Sequence, residues 1–293
     1  MRSVTRTPEL SHPGEQAALR SSQNGLADLT FLARGGRTIL TDVHTRSPLV
    51  IQRALYLDES RPDMAHVFIA NPTAGLLAGD RHEIRAQVGP GARARVLTQA
   101  ATKVYSMPHG QAEQVIQLSV AAGGALEYLP RAVIPYRSSC LEQRVVLEVA
   151  EGATAVYAEV LGAGRVRHGE SLAYRSISSS LTVQRPSGQL LLIESYRLCP
   201  AELSLAQTGI LGLDPGVALV TLVAIGDALR PEECAARLQD RLGAAATRTA
   251  AAPLPGGGGM IVKVLAGSAA EGEALLGTVY EECQIAFTRG LGP

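Results

Sequence analysis

Tryptophan is absent from this 293-residue chain and phenylalanine occurs only three times. Flat stacking platforms are therefore few, and a carbohydrate-binding module ranks last among the readings considered. Lysine occurs only at Lys103 and Lys263, so arginine carries the remaining positive charge. Neither sign is in excess, with 27 Lys+Arg against 27 Asp+Glu. No long-range field draws the molecule toward nucleic acid or an anionic membrane. Cys140, Cys199, Cys234 and Cys283 form no CxxC or CxxH spacing. That argues against a disulfide framework or a cysteine zinc site and favours reduced thiols in the cytoplasm. Residues 1–25 lack the apolar core of a signal peptide and read as a disordered leader. No run approaches the roughly 20 apolar residues of a membrane span.

Catalytic signatures are equally scarce. There is no GxxxxGK[ST] phosphate loop, and the glycines from Gly256 to Gly259 precede a strand pattern, so they read as linker. No GxSxG elbow occurs, and the serines between Ser176 and Ser180 read as the solvated face of a strand. His12, His44, His66, His82, His109 and His168 stand singly, without HxH, HxxH or HExxH spacing. His66 and His82 could approach Asp80 in space. No high-affinity metal site is expected from this set.

What the chain does contain is period-two alternation from Leu26 to about Leu198, punctuated by Gly and Pro. This is strand chemistry on alternately buried faces. Three turns align as a weak repeat, VGPGARA from Val88, VAAGGAL from Val120 and VAEGATA from Val149, spaced about thirty residues apart. The spacing fits stacked solenoid units and also three similar hairpins of a sandwich. A mainly β, layered β-helix-like stack of sheets is preferred, with a β-rich body over residues 26–208. Residues 209–293 read as a small C-terminal α/β appendage packed on that body within a single domain. It would hold one strand near Met260 and about two helices, the first opening at Pro231-Glu232-Glu233. Ala250 to Gly259 reads as a flexible linker.

Asp80, Glu127, Glu159, Glu170 and Glu194 fall in or beside otherwise apolar or glycine-rich segments. Each alone fits the polar face of its strand. Together, carboxylates on half-buried strands need water, a partner or a cation to offset desolvation. A β-solenoid or β-sandwich hydrolase using paired carboxylates such as Asp80 and Glu159 is the runner-up reading.

The segments GGRTIL at 35–40, PLVIQR at 48–53, NPTAGLLAGD at 71–80, ATKVY at 101–105, LEYLP at 126–130 and GRVRHGE at 164–170 resemble, in order and spacing, the UreD (UreH) family of urease accessory proteins. The resemblance implies a non-enzymatic, β-rich scaffold that binds UreF, engages UreG through it, and sits on apo-urease. It implies transient Ni²⁺ passing through an internal passage, no tightly bound cofactor, no nucleic acid or membrane partner, and room for a dimer within the accessory complex. Asp80 falls on the family's Gly-Asp aspartate, and Thr102, Lys103 and Tyr105 on its small-Lys-aromatic-Tyr segment. Glu127, Glu159, Gly164, Arg165, Gly169 and Glu170 match the strands and loop that follow, and Glu194 the acidic position after an aliphatic strand. The family's Pro-Pro-Gly-Gly and Gly-Gly-Asp read here as Pro72-Thr73-Ala74-Gly75 and Ala78-Gly79-Asp80. Two glycines are thus alanine, which puts any positive φ there in question. Isolated carboxylates and hydroxyls hold Ni²⁺ weakly, whereas imidazole and thiolate clusters trap it. Asp80, Thr102, Glu159 and Glu194 are therefore expected to line a hydrated nickel path, with Arg165 and Glu170 shaping a loop beside it. The C-terminal helices and the aliphatics at Leu211 and Leu213 are candidate partner contacts.

Overall fold

The computed structural model describes residues 22–202, 217–243 and 248–289, with side chains of the last helix described through Cys283. The expected leader, apart from its last four residues, and the aliphatics at Leu211 and Leu213 lie outside them. The strands are β1 (Asn24–Arg34), β2 (Arg37–Arg46), β3 (Val50–Ile51), β4 (Ala65–Ala70), β5 (Gly75–Leu76) and β6 (Arg81–Val88). Next come β7 (Arg93–Thr98), β8 (Thr102–Val104), β9 (Ala112–Val120), β10 (Ala125–Leu129), β11 (Val133–Pro135), β12 (Cys140–Val149) and β13 (Thr154–Leu161). The last are β14 (Ser176–Gln184), β15 (Leu190–Leu198), β16 (Ala218–Ile225), β17 (Arg248–Pro253) and β18 (Gly259–Ala266). Two helices, α1 (Pro231–Gly243) and α2 (Ala269–Arg289), lie near the C-terminus.

The first sheet has the order β15-β14-β12-β9-β6-β1-β2. Its five middle strands are parallel, and β15 and β2 are antiparallel edges. The second sheet runs β17-β18-β16-β13-β10-β7-β4-β3, with β4, β7, β10 and β13 parallel. The short strands β5, β8 and β11 form a third parallel run. The thirty-residue repeat is one coil of this stack: a strand of the first sheet, a corner, a strand of the second, then a short strand. The strands flanking each repeat turn belong to different sheets, so the turns are coil corners and the hairpin alternative is excluded. Gly91, Gly123 and Gly152 occupy the same corner position at φ 66, 72 and 70, a backbone conformation that glycine adopts without penalty. Ala121 N–H donates to Val88 O and Ala150 N–H to Val120 O, both at 2.9 Å, so each corner stacks on the one before.

Alternation then builds the core, because successive strand residues face opposite sides. Phe31, Ile84, Ile116, Val145 and Leu181 from the first sheet meet Val67, Val96, Tyr128, Tyr157 and Val223 from the second. Each fully buried aliphatic contributes roughly 1.5–3 kcal/mol. The outer face of the second sheet carries a second core, in which Val156, Val160, Leu222 and Val264 pack against Cys234, Leu238, Val279 and Cys283 of the helices. The tail is more strand-rich than its sequence indicated. Its described residues hold three strands, and β16 pairs directly with β13, so the tail extends the body's own sheet. The expected linker from Ala250 contains most of β17, which pairs with β18.

Candidate functional site

One row of inward positions breaks the apolar pattern of the first sheet. His82, Gln114, Gln143, Ser179 and Tyr196 lie directly opposite one another on β6, β9, β12, β14 and β15. At ~4.8 Å per strand the row spans about 19 Å along the stacking direction. His82, Gln114, Gln143 and Ser179 are all buried. Facing them are Thr98, Tyr157, Glu159 and Thr221 from the second sheet and Thr102 from β8.

Three cavities adjoin along this row. The first, about 50 Å³, is lined by His82, Thr98, Thr102 and Gln114. The second, about 20 Å³, shares Thr98, Thr102 and Gln114 and adds Gln143, Tyr157 and Glu159. The third, about 10 Å³, shares Tyr157 and Glu159 and adds Ser179, Glu194, Tyr196 and Thr221. A water needs roughly 10–15 Å³, so the file narrows from room for a few waters to room for about one.

Glu159 stands at the constriction. Its Oε2 accepts from Gln143 Nε2, from Tyr157 OH at 3.2 Å and from Ser179 Oγ at 3.4 Å. Its Oε1 accepts from Tyr196 OH at 2.6 Å. Burial and the neighbouring Glu159 carboxylate push the Tyr157 and Tyr196 phenols well above their ordinary range, which keeps them as donors. Beyond it, Glu194 Oε1 accepts from Lys263 Nζ, which also donates to Thr221 Oγ1 at 3.3 Å. Glu194 Oε2 is buried without a hydrogen-bond partner. At the opposite end the His82 imidazole is 2 % exposed, and its Nε2 also lacks a partner. Burial pushes its pKa down to about 4 against the opposing pull of Asp80.

Of the expected path residues, Thr102, Glu159 and Glu194 lie on this file and Asp80 does not. The Asp80 carboxylate accepts backbone N–H groups of Gln23 and Leu77, both at 2.8 Å, and so ties the start of β1 to the turn before β6. It opens on a separate surface pocket of about 460 Å³, lined also by Thr73, Gly75, Ala78 and Tyr105. The turn at 71–75 lies between that pocket and the first cavity, contributing Asn71 and Ala74 to one and Thr73 and Gly75 to the other. Gly79 takes φ 82 in the adjacent turn. Gly75 of β5 lies so close to Lys103 of β8 that a Cβ would sit 2.1 Å from the Lys103 carbonyl oxygen. Tyr105 packs edge-on against Tyr136 with ring centres 5.3 Å apart and donates to Thr73 O.

Glu127 lies on the outer face of the second sheet, where Arg95 at 2.5 Å and Arg61 at 2.7 Å pair with it. Both guanidiniums also donate to Tyr280 OH, which fastens α2 to the body. His66 is beside Arg95 on that sheet. The expected loop is present: Arg165 donates twice to Glu170 at 2.6 and 2.8 Å and stacks over the Tyr136 ring at 4.0 Å. The Arg165 guanidinium holds the Glu170 carboxyl down to about 2. Gly169 closes the short helical turn of the loop at φ 70, and Gly164 abuts the Glu170 carbonyl.

Gln114, Gln143, Ser179, Tyr196, His82 and Lys263 were not read as site residues from the sequence. The expectation that Ser176 to Ser180 form a solvated face is corrected, because Ser176 and Ser179 are buried and Ser179 faces the file. The signal was in the repeat itself: His82, Gln114 and Gln143 each stand six positions before Val88, Val120 and Val149.

Fold and site together define a β-solenoid-like protein with a narrow polar file through its core. Among the described residues no group of three or more His, Cys, Asp and Glu is placed to hold a metal, and no helix is long and apolar enough to cross a membrane. Residues 23–290 match the family model of the UreD urease accessory protein, and the chain belongs to that family. It is 40 % identical over 200 residues to urease accessory protein UreD 2 of Streptomyces griseus subsp. griseus, covering 68 % of this chain and 67 % of that one. It is 33 % identical over 257 residues to urease accessory protein UreD of Cenarchaeum symbiosum, covering 86 % and 88 %. Identity to urease accessory protein UreD 2 of Methylorubrum extorquens is 35 % over 234 residues, covering 79 % and 73 %.

Proposed function

We propose that this chain is a non-catalytic scaffold of urease maturation that docks on apo-urease in the cytoplasm with UreF, and through it UreG. Its interior file gives Ni²⁺ a hydrated route toward the enzyme. The observation that carries this reading is the file: hydroxyl, amide and carboxylate oxygens from Thr102, Gln114, Gln143, Glu159 and Glu194 border three adjoining cavities. Oxygen donors spaced one strand apart pass a divalent cation from station to station, and none of them provides the imidazole or thiolate set that would retain it. The Glu159 carboxylate supplies charge at the narrowest part, where desolvation of the cation costs most. The arrangement disfavours the hydrolase reading, since Asp80 and Glu159 open on different cavities and the Asp80 oxygens are taken by backbone N–H groups.

The test is co-expression of Glu159→Ala and Glu194→Ala variants with urease and the other accessory proteins. Urease activation is expected to fall while co-elution with UreF persists. Full activation in both variants sinks the route.

A further inference from the structure

We propose that Lys263 is a tethered counter-cation that occupies the Glu194 end of the file and yields it to a divalent cation, so that the cation binds there only weakly. The inference rests on the reading of the file as a divalent-cation route, and it names what regulates that route.

Glu159, Thr221 and Lys263 are register neighbours on β13, β16 and β18. Ile261, two positions before Lys263, packs against the core between the sheets, whereas Val262 and Val264 face the helices. Lys263 therefore stands on the face that lines the file. Its ammonium binds Glu194 Oε1 and Thr221 Oγ1, both residues of the third cavity. The Lys263 side chain is 35 % exposed and Glu194 is 20 % exposed, against 7 % for Glu159. The ion pair is thus a point where the file meets solvent at its Glu194 end. The second Glu194 oxygen, Oε2, is buried with no partner. One ammonium leaves half of the carboxylate unused, and a metal ion with its waters uses both halves.

The chemistry of the side chain suits displacement. An ammonium is a compact point charge on a flexible four-carbon stem, whereas a guanidinium would lock a carboxylate in a bidentate fork. Arginine is the cation almost everywhere else in this chain, and lysine stands here. When a divalent cation takes Glu194, the ammonium swings out toward solvent, and it returns when the cation leaves. The exchange replaces one charge with two, so the carboxylate gains less than it would from a vacant site. Removing the ammonium should convert a transit point into a binding site.

The experiment is equilibrium dialysis and calorimetric titration of the full chain with nickel chloride. Lys263→Met and Lys263→Gln are expected to bind one Ni²⁺ at least about tenfold more tightly than the unaltered chain. Lys263→Arg is expected to bind no more tightly than the unaltered chain. Adding Glu194→Gln to Lys263→Met should return binding to the unaltered value. The glutamine variant keeps a hydrogen-bonding group of similar length and reports on the charge if the methionine variant fails to fold. Binding in Lys263→Met and Lys263→Gln as weak as in the unaltered chain overturns the proposal, as does tightening that Glu194→Gln leaves in place. Tightening that Glu194→Gln reverses, alongside full urease activation by Glu159→Ala and Glu194→Ala, supports the counter-cation and refutes nickel transit.

Discussion

Replacing His82 by leucine should make the protein more resistant to acid, because the imidazole is buried in its neutral form. His82 is 2 % exposed, and burial depresses its pKa from 6.5 to about 4. The sign follows from proton linkage. Above pH 6.5 neither folded nor unfolded chain protonates this group, and it contributes no pH dependence. Between pH 6.5 and 4 the unfolded chain takes a proton that the folded chain refuses, so stability falls as pH falls. The full span corresponds to on the order of 3 kcal/mol, of which about 2 kcal/mol is already lost at pH 5. Leucine of similar volume removes this loss and adds only a packing change common to all pH values. Urea unfolding at pH 7.5 and pH 5.0 isolates it as the change in the difference between the two proteins. The variant should gain about 2 kcal/mol on the parent across that interval. A difference that stays constant within about 0.5 kcal/mol would show that the folded chain protonates His82 as readily as the unfolded one, and the reasoning would fail.

Other perturbations probe the frame around the file. Ala74 sits at φ 60, so the glycine that the family pattern places there should relieve left-handed strain. Ala74→Gly is expected to raise stability by about 0.5–1 kcal/mol in urea unfolding, and a lower midpoint would contradict it. Gly75→Ala should cost about 3 kcal/mol or more, because its Cβ would fall 2.1 Å from the Lys103 carbonyl and part β5 from β8. Gly36→Ala meets nothing within 4 Å and pays only for its φ of 80, about 1 kcal/mol. Equal losses at the two glycines would remove the steric argument. Glu127→Ala removes the carboxylate that pairs with Arg95, about 80 % buried, while Arg61 keeps its pair with Asp58 at 2.7 Å. A loss of about 3 kcal/mol is expected on thermal unfolding, with faster proteolysis within α2, and an unchanged melting profile would show that Tyr280 and packing suffice.

Much of the architecture is legible in the chain because a solenoid writes its period into its corners. VGPGARA, VAAGGAL and VAEGATA each hold a glycine at the same left-handed position, so the thirty-residue period shows in the spacing, and sheet membership then makes it a coil and not a hairpin. Alternation located most strands of the first sheet equally well, since their outer face is less buried than their inner one. The same alternation concealed the file. Period-two reasoning sends polar residues outward, so Ser179 reads as solvated and nothing marks Gln114 or Gln143, although the three are 8, 7 and 4 % exposed. The repeat puts His82, Gln114 and Gln143 at one coil position, but that this position faces inward and continues to Ser179 follows from strand register, a property of chain pairing 29 to 36 residues apart. Glu127 failed differently. It was rightly singled out as a carboxylate needing compensation, but its partners Arg61 and Arg95 lie 66 and 32 residues away, and they make it a structural brace. Lys263 and Glu194 are 69 residues apart, and β18 had to be placed inside the body's sheet before they could meet. A buried carboxylate therefore announces from sequence that something offsets its charge. Whether that something is fixed, as with two arginines on Glu127, or exchangeable, as with a single ammonium on Glu194, depends on the fold, and that difference separates a brace from a station on a cation route.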